Sequence, residues 1–175
     1  MAEAGLLEVE RRRLSGRSGR GAGRPAKLYR TGQQRLSISL PASRYSLAGQ
    51  ILAAALEERR ASESGSAAAR RVARRIGAEL GEALRDRVSR RADYPLGLAE
   101  EAVRELGYEP RRDGDRLDLH NCPFDELAES HRELICPMNQ ALLAGLLSAL
   151  GAAGVFADDP RQRPHRCCVQ LRLAG

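Results

Sequence analysis

Residues 137–157 contain no charged side chain, in a protein where 30% of residues are Asp, Glu, Lys or Arg. A run of that length has to leave water, and about 20 apolar residues is also what a bilayer-spanning helix needs. Asn139, Gln140 and Ser148 interrupt it, and Gly151 and Gly154 end the helix early. The pattern therefore reads as a central buried helix or a subunit contact, and no membrane association is expected. Met138, Leu142, Leu143, Leu146, Leu147 and Leu150 supply its apolar surface.

Other segments must cover this helix. Pro95 suits a helix start and Gly107 a helix end, giving a helix over 95–106. Residues 108–112 and 116–120 flank Asp113-Gly114, a strong turn signal, and read as a β-hairpin. Leu117 and Leu119 alternate with Asp118 and His120, and residues 167–173 read as a final strand. Residues 93–175 are thus an α+β domain, a small antiparallel sheet covered by helices.

Residues 41–92 are helical. A short strand over 36–40 closes at Pro41, and a helix over 44–59 places Leu47, Ile51, Leu52, Ala55 and Leu56 on one stripe. After the break at 62–66 a second helix carries Val72, Ile76, Leu80, Leu84 and Val88. Ala69, Ala73, Gly77 and Gly81 let another helix approach closely. This segment reads as a dimerisation linker, so a homodimer is expected; packing of the two helices inside one monomer is the nearly equal alternative.

The charge is uneven. Residues 1–35 hold nine basic and three acidic side chains, an excess equal to the net +6 of the whole chain. One end is built for a polyanion. Residues 6–12 read as a strand, 15–23 as a Gly/Ser/Arg loop and 26–30 as a returning strand after Pro25. Arg11, Arg12, Arg13, Arg17, Arg20, Arg24 and Lys27 are the candidate contacts to double-stranded DNA. Aromatics make up only 3% of the chain and Trp is absent, which argues against a stacking platform for single strands.

All four cysteines lie in the carboxy-terminal part. Cys122 and Cys136 each precede a proline expected to open a helix, which puts both thiols at caps where amides and the dipole favour thiolate. Cys167 and Cys168 open the last strand, where alternation sends them to opposite faces and leaves one an easy ligand; Cys167 is preferred, but a strand end is irregular enough for Cys168 to take its place or join it. Leu6-Leu7 runs straight into charged residues, unlike a signal peptide, so a cytoplasmic address is expected. There cysteines serve as ligands, sensors or core residues more than as disulfides. Cys122, Cys136, Cys167 and Cys168 are the candidate metal ligands, with zinc as suitable as iron.

Two stretches carry a family resemblance. Ala4-Gly5-Leu6-Leu7-Glu8, the basic run, and Gly23-Arg24-Pro25-Ala26-Lys27-Leu28-Tyr29 resemble the wing of an ArsR-type winged-helix regulator. In that family two helices and a turn precede the hairpin. Residues before Leu6 are too few for them, so the expectation is an incomplete winged-helix domain over 1–40, from a late start or a fragment, that grips phosphate only. The segments Leu119-His120-Asn121-Cys122-Pro123-Phe124, Leu134-Ile135-Cys136 and Cys167-Cys168-Val169 resemble the sensor half of iron-sulphur-responsive repressors of cluster-assembly operons. That resemblance implies a cluster held by three cysteines and a fourth ligand, with His120, His131, His165 and Cys168 as candidates.

The expected function is a DNA-binding transcriptional regulator whose carboxy-terminal domain binds an iron-sulphur cluster or another thiophilic metal. The alternative is a metal-free thiol redox switch or a thiol oxidoreductase using Cys122 or Cys136. Against an enzyme, the chain has no CxxC and no recognisable Ser-His-Asp or paired-carboxylate grouping. Gly19 to Gly23 lead into a proline and a strand rather than a helix, so they are no phosphate loop.

Overall fold

The structure, a computed structural model, describes residues 7–12, 26–31, 43–89, 94–158 and 167–174. The chain divides into two units, Met1–Ser39 and Leu40–Gly175.

In the first unit, β1 (Leu7–Arg12) and β2 (Ala26–Thr31) form the expected antiparallel hairpin, with Val9 opposite Tyr29 and Glu8 opposite Arg30. The Glu8 carboxylate accepts from the Arg30 guanidinium at 2.7 Å on the exposed surface. The tip arginines Arg13, Arg17, Arg20 and Arg24 and the strand expected over 36–40 lie outside the described residues.

The second unit contains α1 (Tyr45–Glu57), α2 (Gly65–Ser89), α3 (Pro95–Glu105), β3 (Glu109–Asp113), β4 (Arg116–His120), α4 (Asp125–Ser130), α5 (Arg132–Leu150), β5 (Val155–Asp158) and β6 (Gln170–Leu173). The fold is α+β. One antiparallel sheet runs in the order β3-β4-β6-β5, and α3 touches all four of its strands. α5 packs on β5 and α3, α2 on α5 and α3, and α1 on α2. β5 had no counterpart in the sequence reading.

Local chemistry sets the helix ends. Ser64 caps α2, its hydroxyl accepting from the Ala67 amide at 3.2 Å. α5 stops at Gly151, whose φ of 74° is left-handed, and the Ala152 amide donates back to the Leu147 carbonyl. A glycine there avoids the Cβ penalty of that conformation.

α5 is the buried centre, as its uncharged sequence requires. It is long and apolar enough to cross a membrane by composition, yet most of it is buried inside the unit. Ile135, Met138, Leu142, Leu143, Leu146, Leu147 and Leu150 are all shielded from water. At about 1.5–3 kcal/mol per large side chain, that burial contributes on the order of 10–20 kcal/mol before chain entropy is counted.

The small residues of α2 are what bring it against α5. A Cβ at Gly77 would overlap the Leu142 carbonyl, one at Gly81 the Leu146 carbonyl at 2.6 Å, and one at Gly145 the Arg74 carbonyl. The contact advances four residues on each helix together. Two expectations are affected: residues 41–92 and 93–175 are not separated at 93, and the Gly77/Gly81 face, expected to let another helix approach closely, is occupied by α5 of the same chain. Close packing within one chain buries that face with no entropy of association to overcome. On α1, Ala48, Ile51 and Ala55 face the core, whereas Leu56 is 72% exposed because the buried stripe runs through Ala48 instead.

Candidate thiol centre

The four cysteines reach one cavity from three separate segments. Cys122 leaves the end of β4 through Asn121, which has a φ of 53°; asparagine is among the few side chains that accept this left-handed turn. The Asn121 amide donates to the Gly107 carbonyl at 3.0 Å, and the Asp125 amide donates to the Cys122 carbonyl at 3.1 Å. Arg44, just before α1, donates its amide to the Pro123 carbonyl at 2.9 Å. The turn that carries Cys122 is therefore tied to α1, α4 and the end of α3.

Neither proline opens a helix. α4 begins at Asp125 with Phe124 as its cap, and Cys122 stands two residues further back. α5 begins at Arg132, so Cys136 lies in its second turn and Pro137 sits inside the helix. Pro137 has no amide to return to the Glu133 carbonyl, but the long apolar face of α5 holds the helix through that gap. The cap argument for thiolate thus fails at both cysteines. At the other end, the Cys167 amide donates to the Leu119 carbonyl at 3.1 Å, and β6 proper starts only at Gln170. The chain bends at Cys168, so strand alternation does not apply, and both thiols turn to the same cavity.

That cavity, of about 400 Å³, is lined by the four cysteines together with Asn121, Asp125, Ala128, Glu129 and Arg132. It has room for more than a bare ion, since one water occupies roughly 30 Å³. The thiols form a chain of contacts, Cys122 to Cys167 to Cys168 to Cys136. Hydrogen bonds from Cys136 and then Cys167, helped by the charge of Arg132, hold the Cys168 thiol well below its ordinary value. Cys136 is pushed up, first by its hydrogen bond to Cys168 and then by burial; Cys167 is pushed up by its hydrogen bonds to Cys122 and Cys168 and by burial.

Behind the sulphurs lies a buried polar pair. The Tyr108 hydroxyl donates to Asn139 Oδ1 at 2.5 Å, and Asn139 Nδ2 donates to Cys167 Sγ at 3.5 Å and to Cys122 Sγ at 4.0 Å. Asn139 has no exposed surface and Tyr108 only 3%. Burial, and then the charge of Cys167, push the Tyr108 phenol well up, so it remains a donor.

Among the described residues no group of three or more His, Cys, Asp or Glu side chains is arranged to hold a metal ion as it stands; the sulphurs are engaged with one another. The donor set itself fits a soft metal: four sulphurs from three segments, with a cation and an amide donor to balance their charge. Cys122, Cys136, Cys167 and Cys168 are all free thiols brought together here. His120 and His131 do not line the cavity, and His165 lies outside the described residues.

Sequence reasoning missed Asn139, Arg132 and Tyr108. Two of them carried a signal, because Arg132 and Asn139 stand four residues before and three after Cys136, the spacings that share one helix face. Asn139 served instead only as an interruption of the apolar run. No family model, no curated protein and no solved structure matches this chain.

Proposed function

We propose that the protein is a DNA-binding regulator whose larger unit is a sensor built on Cys122, Cys136, Cys167 and Cys168. The observation that carries the reading is the meeting of four thiols, spread over 47 positions of sequence, in one cavity, while the net positive charge belongs to the hairpin end. These cysteines would hold a thiophilic metal: an iron-sulphur cluster, as the family resemblance implies, or zinc, which the same donors accept. Such a group would supply a redox-sensitive or exchangeable cross-link among the turn after β4, the second turn of α5 and the approach to β6. Arg132 offsets the anionic charge of the sulphurs, and Asp125 and Glu129 keep the rim polar. The hairpin arginines would hold phosphate, with base reading left to elements beyond it.

A metal-free thiol switch is the second reading, favoured by the hydrogen bonds the sulphurs already make to one another. Anaerobic purification followed by iron and zinc counting and visible absorbance separates the two. Metal at or above one equivalent per chain, lost in Cys168→Ser and Cys136→Ser alike, supports the sensor. Metal-free wild-type protein with reversible loss of free thiols under mild peroxide supports the switch, and neither result leaves both readings without support.

A further inference from the structure

α5 buries aliphatic side chains along nearly its whole length, yet Asn139 sits in it with no exposed surface. A polar side chain is costly there unless its partners are specific. Its partners are specific: the amide oxygen accepts from Tyr108, and the amide nitrogen is turned to two sulphurs of the thiol cavity. In this orientation the Tyr108 hydroxyl has an acceptor for its proton and the amide N–H groups face the sulphurs. Tyr108 is anchored in turn by the end of α3, its amide donating to the Val103 carbonyl at 3.1 Å.

We propose that Asn139, oriented by Tyr108, is a positioning residue of the thiol centre, presenting its two N–H groups to Cys167 and Cys122 so that these sulphurs are set in place and polarised for a soft metal. Cys167 is the nearer acceptor, and Cys122 lies at the outer limit of such a bond. An N–H donor aimed at sulphur strengthens its hold as the sulphur gains negative charge, and partners of this kind tune both metal affinity and potential. By hydrogen bonding, Tyr108 reaches the sulphurs through Asn139, the partner of its hydroxyl. The inference deepens the metal-sensor reading and rests on it for the metal measurement, but not for the thiol measurement described next.

The test uses the full reduced chain under anaerobic conditions, titrated with cobalt(II). Asn139→Leu removes the donors at nearly constant volume and cannot itself ligate metal; Tyr108→Phe removes only the hydroxyl. Asn139→Leu should weaken cobalt binding by roughly 10- to 100-fold and shift the sulphur-to-cobalt charge-transfer absorption, while Tyr108→Phe gives a smaller change in the same direction. The double variant, which leaves no stranded hydroxyl and so guards against a folding failure, should match Asn139→Leu. Wild-type affinity and spectrum in folded Asn139→Leu would overturn the relay, as would a further loss in the double variant, since Tyr108 would then act by another route. If wild-type protein takes up no cobalt, the metal reading fails, and the relay is read from iodoacetamide labelling at fixed pH. Cys122 and Cys167 should then label more slowly in Asn139→Leu, with Cys136 as the internal reference, and unchanged rates at both overturn it.

Discussion

Across the hairpin, Val9 and Tyr29 face each other with 42% and 59% of their surfaces exposed, whereas Leu117, Leu143, Leu146 and Leu171 in the larger unit expose none. The hairpin's one described ion pair, Glu8 with Arg30, is also open to solvent, and such pairs contribute little. A lone two-stranded hairpin is marginal in water. The larger unit instead closes around α5 and brings reactive side chains together from distant parts of the chain. Charge is displayed in one region and thiols are gathered in the other, so the comparison separates a part that buries little of its own surface from a part that depends on internal packing.

The sharpest way to break that comparison is at the α2–α5 contact. Gly145→Leu would drive a side chain into the Arg74 carbonyl of α2, where backbone leaves no room to yield. Overpacking of this kind costs about 3 kcal/mol or more, which for a unit of this size means a large loss of folded protein. Gly49→Ala is the control: nothing lies within 4 Å of its added Cβ, and it should stabilise α1 by up to about 1 kcal/mol. Urea denaturation of both variants decides the matter. If Gly145→Leu unfolds at the wild-type midpoint, close helix contact is not what holds the larger unit together.

An intermediate effect is expected from charge. Reversing Arg11 and Arg12 to Glu in β1 should lower the salt slope of binding to an arbitrary duplex by about 2, with weaker binding at every salt concentration. Arg70 and Arg74 are exposed on α2, and reversing them should leave the slope unchanged. Unfolding of the larger unit should move by less than about 0.5 kcal/mol in the hairpin variant, as surface changes generally do. Equal effects from both pairs would show that the polyanion is not read by the hairpin in particular.

Most of the fold was legible because its signals are local. The uncharged run over 137–157, the glycines Gly107 and Gly151, and Asp113-Gly114 placed α5, two helix ends and the β3–β4 turn without tertiary information. The glycine face of α2 was also legible as a packing face; which helix would fill it was not, since a second copy of the chain and α5 satisfy the same pattern. The thiol site was legible in membership and illegible in geometry. Pro123 and Pro137 carry a strong helix-start preference, but tertiary packing of Leu134 and Ile135 extends α5 one turn upstream of Pro137, and the Asn121 turn delays α4 until Asp125. Strict strand alternation would part Cys167 and Cys168, but pairing with β4 lapses at the irregular strand end, and the alternative in which Cys168 joins Cys167 is the one found.

The smallest effect probes how firmly the thiol rim is tied to the helices behind it. The Tyr45 hydroxyl on α1 donates to Asp125 Oδ1 at 2.9 Å, and Asp125 lines the thiol cavity. Desolvation, followed by the hydrogen bond to Asp125 and the charges of Asp125 and Glu126, pushes the phenol up to about 12. The folded state therefore favours the neutral phenol. Stability from this bond is fully present below the unfolded value near pH 10 and is lost as pH rises through about 12. Tyr45→Phe should cost roughly 0.5–1 kcal/mol at pH 8. Measured as the wild-type minus variant difference, which cancels the titration of the other tyrosines, that cost should shrink between pH 10 and 12. A difference that stays constant across that window would mean that α1 is held to the rim by the Arg44 to Pro123 backbone bond and the shared apolar cluster around Phe124, without a contribution from the Tyr45 hydroxyl.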